Sequence, residues 1–351
     1  MTLSVAILPD GVPDPTMPAP DSVQVIEGIH LPTTYRLHYE FSSTDGDYPL
    51  LSDSHLEPEK ELAVMVMPDT TPKFLVCGPV TRHAVEILNG SDSSKLDVMG
   101  ADRCIAMDRA DKSKIWSNVT DSTAVSSLLG DYELVPDVAV TSTMHSEFKH
   151  PLVQRETDLR FIRRLARRNG FWFWITSEAP AVNVAHFKRF ASGRTADVEL
   201  KMNSPDANVD RISLEWDCER PVSATLKQVN LSDKSTIDGS VTRSPMTGLA
   251  NKALGDIVSA SRDAHLIVPG DDAGDLSARA EGLLIDHGWF VSARLVVRLS
   301  VLKKVIRSHT VASLGGLGKR HSGNYIVSRV VHDIDATDHV MTVDLIRNAW
   351  N

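Results

Sequence analysis

The sequence predicts a β-rich α+β fold, on three observations. Short segments with strand periodicity recur from Tyr35 to about Met107, further strand-like segments close the chain, and capped helical patterns intrude between them. In "TTYRLHYEFSS", Tyr35, Leu37, Tyr39 and Phe41 alternate with polar partners, the period of a half-buried strand. "ELAVMVMP" and "KFLVCGPV" are short apolar runs bounded by Pro or Gly, and "HAVEILNGSDSSKLDVMG" reads as two strands joined by a polar turn. Strands this short and this closely spaced suggest a barrel or a sandwich. Ahead of them, Pro9, Pro13, Pro15, Pro18 and Pro20 exclude helix and central strand, leaving an extended arm that is either loose or docked on a neighbour.

The first helix is expected in "TDSTAVSSLLGDY", with Thr120 and Asp121 as caps and Val125, Leu128 and Leu129 at helical spacing. The second lies in "ETDLRFIRRLARRNGFWFWI" (156–175). At 100° per residue Leu159, Phe161, Ile162, Leu165 and Ala166 fall within an arc of about 160°. Arg160, Arg163, Arg164, Arg167 and Arg168 take the opposite arc. Thr157 is placed to cap the start, Gly170 to close the end, and acids precede arginines as the helix dipole favours. The strand "FWFWI" then puts Trp172 and Trp174 on one face and Phe171, Phe173 and Ile175 on the other, so both faces must be covered by core or by a subunit. A basic, aromatic grip on nucleic acid or membrane is the competing reading. Aromatics packed consecutively on both faces suit a core better than a stacking platform.

Downstream, a polar β region is expected around residues 211–230, a loop or arm over 231–256, helices in "ALGDIVSASRDAHL" and "DAGDLSARAEGLLIDHG", and closing strands in "FVSARLVVRLS", "GNYIVSRVVHDID" and "HVMTVDLIRNAW". The second of those helices places Leu276, Ala280, Leu283 and Leu284 on one side.

Composition narrows the function. The 351 residues are 42% hydrophobic and 24% charged, as in ordinary globular proteins, and a net charge of −9 argues against general polyanion binding. Cys77, Cys104 and Cys218 are odd in number and far apart, which excludes a disulfide framework and a structural zinc site and suits reducing cytoplasm. The N-terminus lacks a positively charged leader, no run approaches the ~20 apolar residues of a membrane span, and the sequons at Asn89, Asn118 and Asn230 are read as chance.

Catalytic patterns are missing: there is no HExxH and no GxSxG. "GGLGKRHSG" (315–323) mimics a phosphate loop, but Ser313 stands where its first glycine belongs and Arg320 where a hydroxyl should follow Lys319. It is expected to be a turn. The spacing of His145 and His150 matches no common zinc motif, and His265, His287, His309, His321, His332 and His339 are scattered. The acid pairs Asp271–Asp272 and Asp333–Asp335 lie in polar turns, where solvated carboxylates are the default. No catalytic residue, metal or cofactor is assigned.

Four stretches together resemble one family. They are "KLDVMGADRCIAMDR" (95–109), "VTDSTAVSSLLGDYEL" (119–134), "HPLVQRETDLRFIRRLARRNGFWFWI" (150–175), and "SGNYIVSRVVHDIDATDHVMTVDLIRN" (322–348) with Gly323-x-Tyr325, His332 and Arg347. In order and content they are similar to the baseplate hub proteins of contractile phage tails and contractile injection systems. That family includes phage late control protein D and the hub part of type VI secretion spike proteins. The proline-rich start and the 50–61 region depart from the pattern.

The resemblance implies two tail-tube-like β-barrel domains, residues 23–112 and a discontinuous 207–242 with 280–351. It also implies a helix-containing connecting domain (113–206), a loop and helical insertion (243–279) and a proline-rich arm (1–22). It implies a homotrimer whose six barrels form a pseudo-sixfold ring between a sixfold tube and a threefold spike. A separate spike protein would lie below, a tube or tube-initiator protein above, and baseplate proteins at the periphery, the whole assembled in the cytoplasm. Arg160, Arg163, Arg164, Arg167, Arg168, Trp172 and Trp174 form the candidate subunit-contact face. Three copies at −9 each carry −27, which an acidic lumen would use to repel acidic cargo. The competing functions are a tail-tip enzyme such as a cell-wall hydrolase, and an adaptor for cargo or nucleic acid.

Overall fold

The computed structural model describes residues 5–43, 46–68, 71–89, 94–147, 151–179, 182–190, 193–229, 233–258, 262–267 and 273–351. The first four residues, Asn230, His150, Asp271 and Asp272 lie outside them. The N-terminal third is strand after strand: β1 (Val5–Pro9), β2 (Ser22–Gly28), β3 (Thr34–Phe41), β4 (Glu61–Val66), β5 (Lys73–Glu86) and β6 (Ser94–Ala101). The alternation in β3 buries Tyr35, Leu37, Tyr39 and Phe41, as the period-two pattern requires. At the proline-rich start only Val5–Pro9 is extended, a strand that pairs with β4 of the same chain at one end of the sheet; turns follow at Asp10–Gly11 and Pro15–Thr16.

The middle of the chain mixes both element types: β7 (Asp111–Trp116), α1 (Asp121–Gly130), β8 (Val135–Val138), β9 (Leu152–Thr157), α2 (Asp158–Arg168), β10 (Trp172–Ala179) and β11 (Val182–Lys188). β10, β11 and β8 form a three-stranded sheet in that order. Val125, Leu128 and Leu129 of α1 pack with Phe161, Ile162 and Leu165 of α2 and with Phe173 and Ile175 of β10 in one core.

The longer strands that follow are β12 (Val198–Lys201), β13 (Arg211–Trp216), β14 (Ser223–Val229), β15 (Thr236–Val241), β16 (Asp263–Ile267), β17 (Val291–Arg298), β18 (Val311–Gly315), β19 (Gly323–Asp335) and β20 (His339–Arg347), with α3 (Ala273–His287) before β17. Two expectations fail here. Within the supposed loop of 231–256, Thr236–Val241 pairs antiparallel with β14. Among the described residues of 253–266, where a helix is expected, there is a 3-10 turn at Leu254–Asp256, and Asp263–Ile267 pairs parallel with β14. Strand pairing with Ser223–Val229 overrides the weak local helical pattern, and α3 covers that small sheet through Leu276, Ala280 and Leu284.

The main sheet has twelve strands, ten of them along the path β1-β4-β5-β6-β3-β2-β19-β20-β17-β13, with β18 on β19 and β12 on β18. The path is open, ending at β1 and β13, so the strand pairing does not close into the two barrels that the resemblance implies. A hydrophobic core lies under each half, one around Val25, Leu37, Leu62 and Leu96, the other around Leu295, Tyr325, Val343 and Leu345. The halves join where β2 pairs with β19. On the solvent face, Arg36 pairs with Asp97, and Arg294 with Asp344.

Candidate assembly face and the seam beneath it

The face predicted for assembly is built on α2 and β10. The Thr157 hydroxyl accepts a hydrogen bond from the Arg160 amide at 3.3 Å, the N-cap its position called for. Asp158 follows, fully buried. Burial alone would raise its pKa, but hydrogen bonds from Lys112, Tyr132 and Gln154 hold it below the ordinary carboxylate range. Gly170 ends the helix at φ +63°, and a Cβ there would lie 2.6 Å from Cδ1 of Ile285 in α3. Conformation and crowding both demand glycine at that position.

The five arginines do not share one environment. Arg160 and Arg167 are exposed, and Arg163 is half-buried. Arg164 bonds Glu156 at 2.6 Å and the Val153 carbonyl at 2.7 Å. Arg168 turns inward: its side chain is 12% exposed, 2.9 Å from Asp121 of α1 and 3.7 Å from Asp275 of α3. His145 Nε2 lies 2.9 Å from both Asp121 Oδ1 and an Arg168 Nη. Burial would raise the pKa of Asp121, but His145, Arg168 and Asn169 bring it below its ordinary value. The outward stripe is therefore Arg160, Arg163, Arg164 and Arg167, and Arg168 is a strut joining three helices.

The tryptophans lie in a seam between β10 and the C-terminal half. Trp172 is buried, against Phe190, Trp289 and His309. Trp174 is sandwiched, its ring centroid 4.6 Å from His186 and 4.3 Å from His309, with interplanar angles of 21° and 7°. Both faces of the "FWFWI" strand are thus covered within one chain.

His309 holds a left-handed backbone at φ +60°, uncommon for a residue with a side chain. A chain of polar contacts supports it. Its Nδ1 is 2.9 Å from Ser308 Oγ, and the Ser308 amide and hydroxyl donate to Glu27 at 2.9 and 3.2 Å. Arg307 also donates to Glu27 and, through its Nη atoms, to the carbonyls of Phe74 and Leu75 at 2.7 and 3.0 Å. Glu27 is buried on β2; burial would raise its pKa, yet Arg307 and His332 pull it down to about 2. His332 contacts His339 at 3.0 Å. Burial drives His309 down to about 3, and burial with the His332 charge does the same for His339. Sequence reading passed over Glu27, although it continues the buried phase of Val23 and Val25, where a charge signals a hidden partner.

The motifs set aside as structural take such places. Asp333 and Asp335 stand on β19 and not in a turn, because β19 pairs with β2 there; Asp333 accepts from Gln24 at 2.7 Å, and Asp335, at the strand's end, caps the Thr337 turn. "GGLGKRHSG" spans the end of β18, one helical turn at Gly318–His321 and the start of β19. Among the described residues, no three His, Cys, Asp or Glu side chains are grouped to hold a metal ion, and no helix is long and apolar enough to cross a membrane.

A family model described as the Alg8 N-terminal domain matches residues 4–256, well over half of the sequence. The chain belongs to that family. No curated protein matches the sequence. Among solved structures, this Alg8 N-terminal domain family member is similar to a tail protein from Neisseria meningitidis MC58, with a TM-score of 0.71 and 11% identity over 99% of this chain and 97% of that one. It is equally similar in extent to the 43 kDa tail protein of prophage MuSo2 from Shewanella oneidensis, with a TM-score of 0.69 and 14% identity over 100% of both chains. A third is an Escherichia coli component of the type VI secretion system described as structurally similar to the T4 bacteriophage tail proteins gp27 and gp5. Its TM-score is 0.59, with 13% identity over 97% of this chain and 76% of that chain. The β-rich fold is therefore that of phage tail proteins.

Proposed function

We propose that the chain is the structural hub of a phage tail baseplate or contractile injection system. The end-to-end fold likeness to two phage tail proteins carries this reading. In it, residues 23–112 and the pair 207–242 and 280–351 are two tube-like domains, 113–206 connect them, 243–279 form an insertion and 1–22 an arm. The separate cores under the two halves of the main sheet support that division.

Three copies supply six tube-like domains in a pseudo-sixfold ring, matching a sixfold tube above to a threefold spike below, with baseplate proteins outside. The open ends of the main sheet support assembly, because strand edges left uncovered invite aggregation. Arg160, Arg163, Arg164 and Arg167 form the subunit-contact face. The solvent face of the sheet lines the channel, where pairing of Asp97 and Asp344 with arginines weakens the repulsion of acidic cargo expected from net charge. The role is structural, with no cofactor, and the assembled particle forms in the cytoplasm. Sedimentation of the purified chain is expected to give the mass of a trimer. A persistent monomer that captures neither tube nor spike protein overturns the proposal.

A further inference from the structure

Two clefts flank the seam and join at Arg307 and Thr310. One, of about 520 Å³, lies between β10, the end of β11 and the 307–310 loop, and is lined by Lys188, Arg189, Arg194 and Arg307. The other, of about 630 Å³, adds Lys73, Lys303 and Lys304. Among the described residues the carboxylates lining the clefts are Glu27, Glu178 and Asp197, against seven cations, of which Lys188 is paired with Asp137, on a chain whose net charge is −9. Glu27 is already committed to Arg307, and Asp197 lies 3.5 Å from Arg194. Lys73, Arg189 and Lys303 are exposed, with no ion pair among the described residues. Cations concentrated in a cleft attract an anion more strongly than the same charges spread over a convex surface.

The shape and chemistry of the walls select among anions. Trp174 through Glu178 line the first cleft consecutively, and β10 is the end strand of its sheet, so an extended polypeptide can lie beside extended backbone. Single-stranded nucleic acid would need an open aromatic face for its bases. Trp174 cannot provide one, because His186 and His309 already cover its two sides.

We propose that this joined basic groove docks an extended acidic segment of a partner protein, clamping the connecting domain, the start of β5 and the C-terminal half together. This goes beyond the hub assignment and holds whether or not the free chain is a trimer. The test uses fluorescence anisotropy with a labelled twelve-residue Asp/Glu-rich peptide, the full-length chain, and a lysine-rich peptide and an oligothymidylate as comparison probes. Expected is binding of the acidic peptide at 25 mM salt (a chosen condition, about one sixth of physiological ionic strength), weakening as salt rises, with the lysine-rich peptide unbound. The variant Arg189→Glu/Lys303→Glu should weaken it by about tenfold or more, roughly the loss of one or two charge-assisted contacts. Both residues are exposed, so circular dichroism and melting should match wild type, and Lys227→Glu/Lys319→Glu, two exposed lysines outside both clefts, serves as a charge-matched control that leaves binding unchanged. Absence of binding at low salt, retention of binding by the double variant, or tighter binding of the oligothymidylate overturns the proposal. So does a fall in sedimentation mass on the double substitution, which would make a second copy of the chain the occupant.

Discussion

Replacing Glu27 by glutamine removes one buried charge and keeps the shape of the side chain. Glu27 is 2% exposed and receives the Arg307 guanidinium and the Ser308 amide and hydroxyl. Its pKa falls from 4.5 to about 2, because attraction to Arg307 and His332 outweighs the opposing effect of burial. At about 1.4 kcal/mol per tenfold change in proton affinity, that difference corresponds to about 3 kcal/mol of stability. The fold favours the carboxylate, so this contribution is complete above about pH 4.5 and disappears as pH falls towards 2. Losing one partner of a buried ion pair costs a similar amount, although Arg307, at 26% side-chain exposure, recovers some hydration. Urea unfolding at pH 7, followed by tryptophan fluorescence, suits the assay because Trp172, Trp174 and Trp289 sit beside this network. Glu27→Gln should lose about 3 kcal/mol, and its stability should depend less on pH between 4.5 and 2 than that of wild type. Adding Arg307→Met should recover part of the loss, since the two sites share one interaction. A loss below about 0.5 kcal/mol, or strictly additive single effects, would refute the reasoning.

Other substitutions probe the helices and the seam. Gly170→Ala should destabilise by more than about 1 kcal/mol, seen as a lower melting temperature, since alanine meets both a left-handed backbone and Ile285. Arg168→Ala should cost about 3 kcal/mol by taking the arginine from buried Asp121, while Asp275 keeps Arg279, whereas Arg167→Ala should stay within about 0.5 kcal/mol; equal melting of the two variants would count against the strut. His309 is held neutral down to about pH 3, whereas an unfolded histidine takes up its proton near 6.5, so wild-type stability should fall as pH drops through that window. His309→Asn, which tolerates the left-handed backbone, should make the profile shallower there, with His339 keeping its own share; an unchanged slope would assign the acid sensitivity to other groups.

Much of the fold was legible wherever the cause was local. Thr157, the apolar arc of α2 and Gly170 lie within one short stretch, and cap, amphipathic face and left-handed stop all depend on neighbours a few residues away. Alternation in β3 and along "FWFWI" likewise reports which side chains point together, whatever covers them. Four stretches in order suggested a resemblance to baseplate hub proteins, and the fold is shared end to end with phage tail proteins.

What lay beyond reach depends on partners distant in sequence. β15 and β16 are strands because both pair with β14, and their own residues hold no strong preference. A helical wheel puts Arg168 among solvated arginines; its burial follows from Asp121 on α1 and Asp275 on α3, which packing alone brings to it. Glu27 and Arg307 are 280 residues apart; a charge in the buried phase of β2 marks Glu27 as needing a partner, but only the fold makes that partner Arg307. The basic groove belongs to the same class, since its cations come from three separated segments of an acidic chain. Periodicity and capping are short-range steric and hydrogen-bonding effects written into consecutive residues. Charge pairing and clefts are set by which surfaces the folded backbone brings face to face.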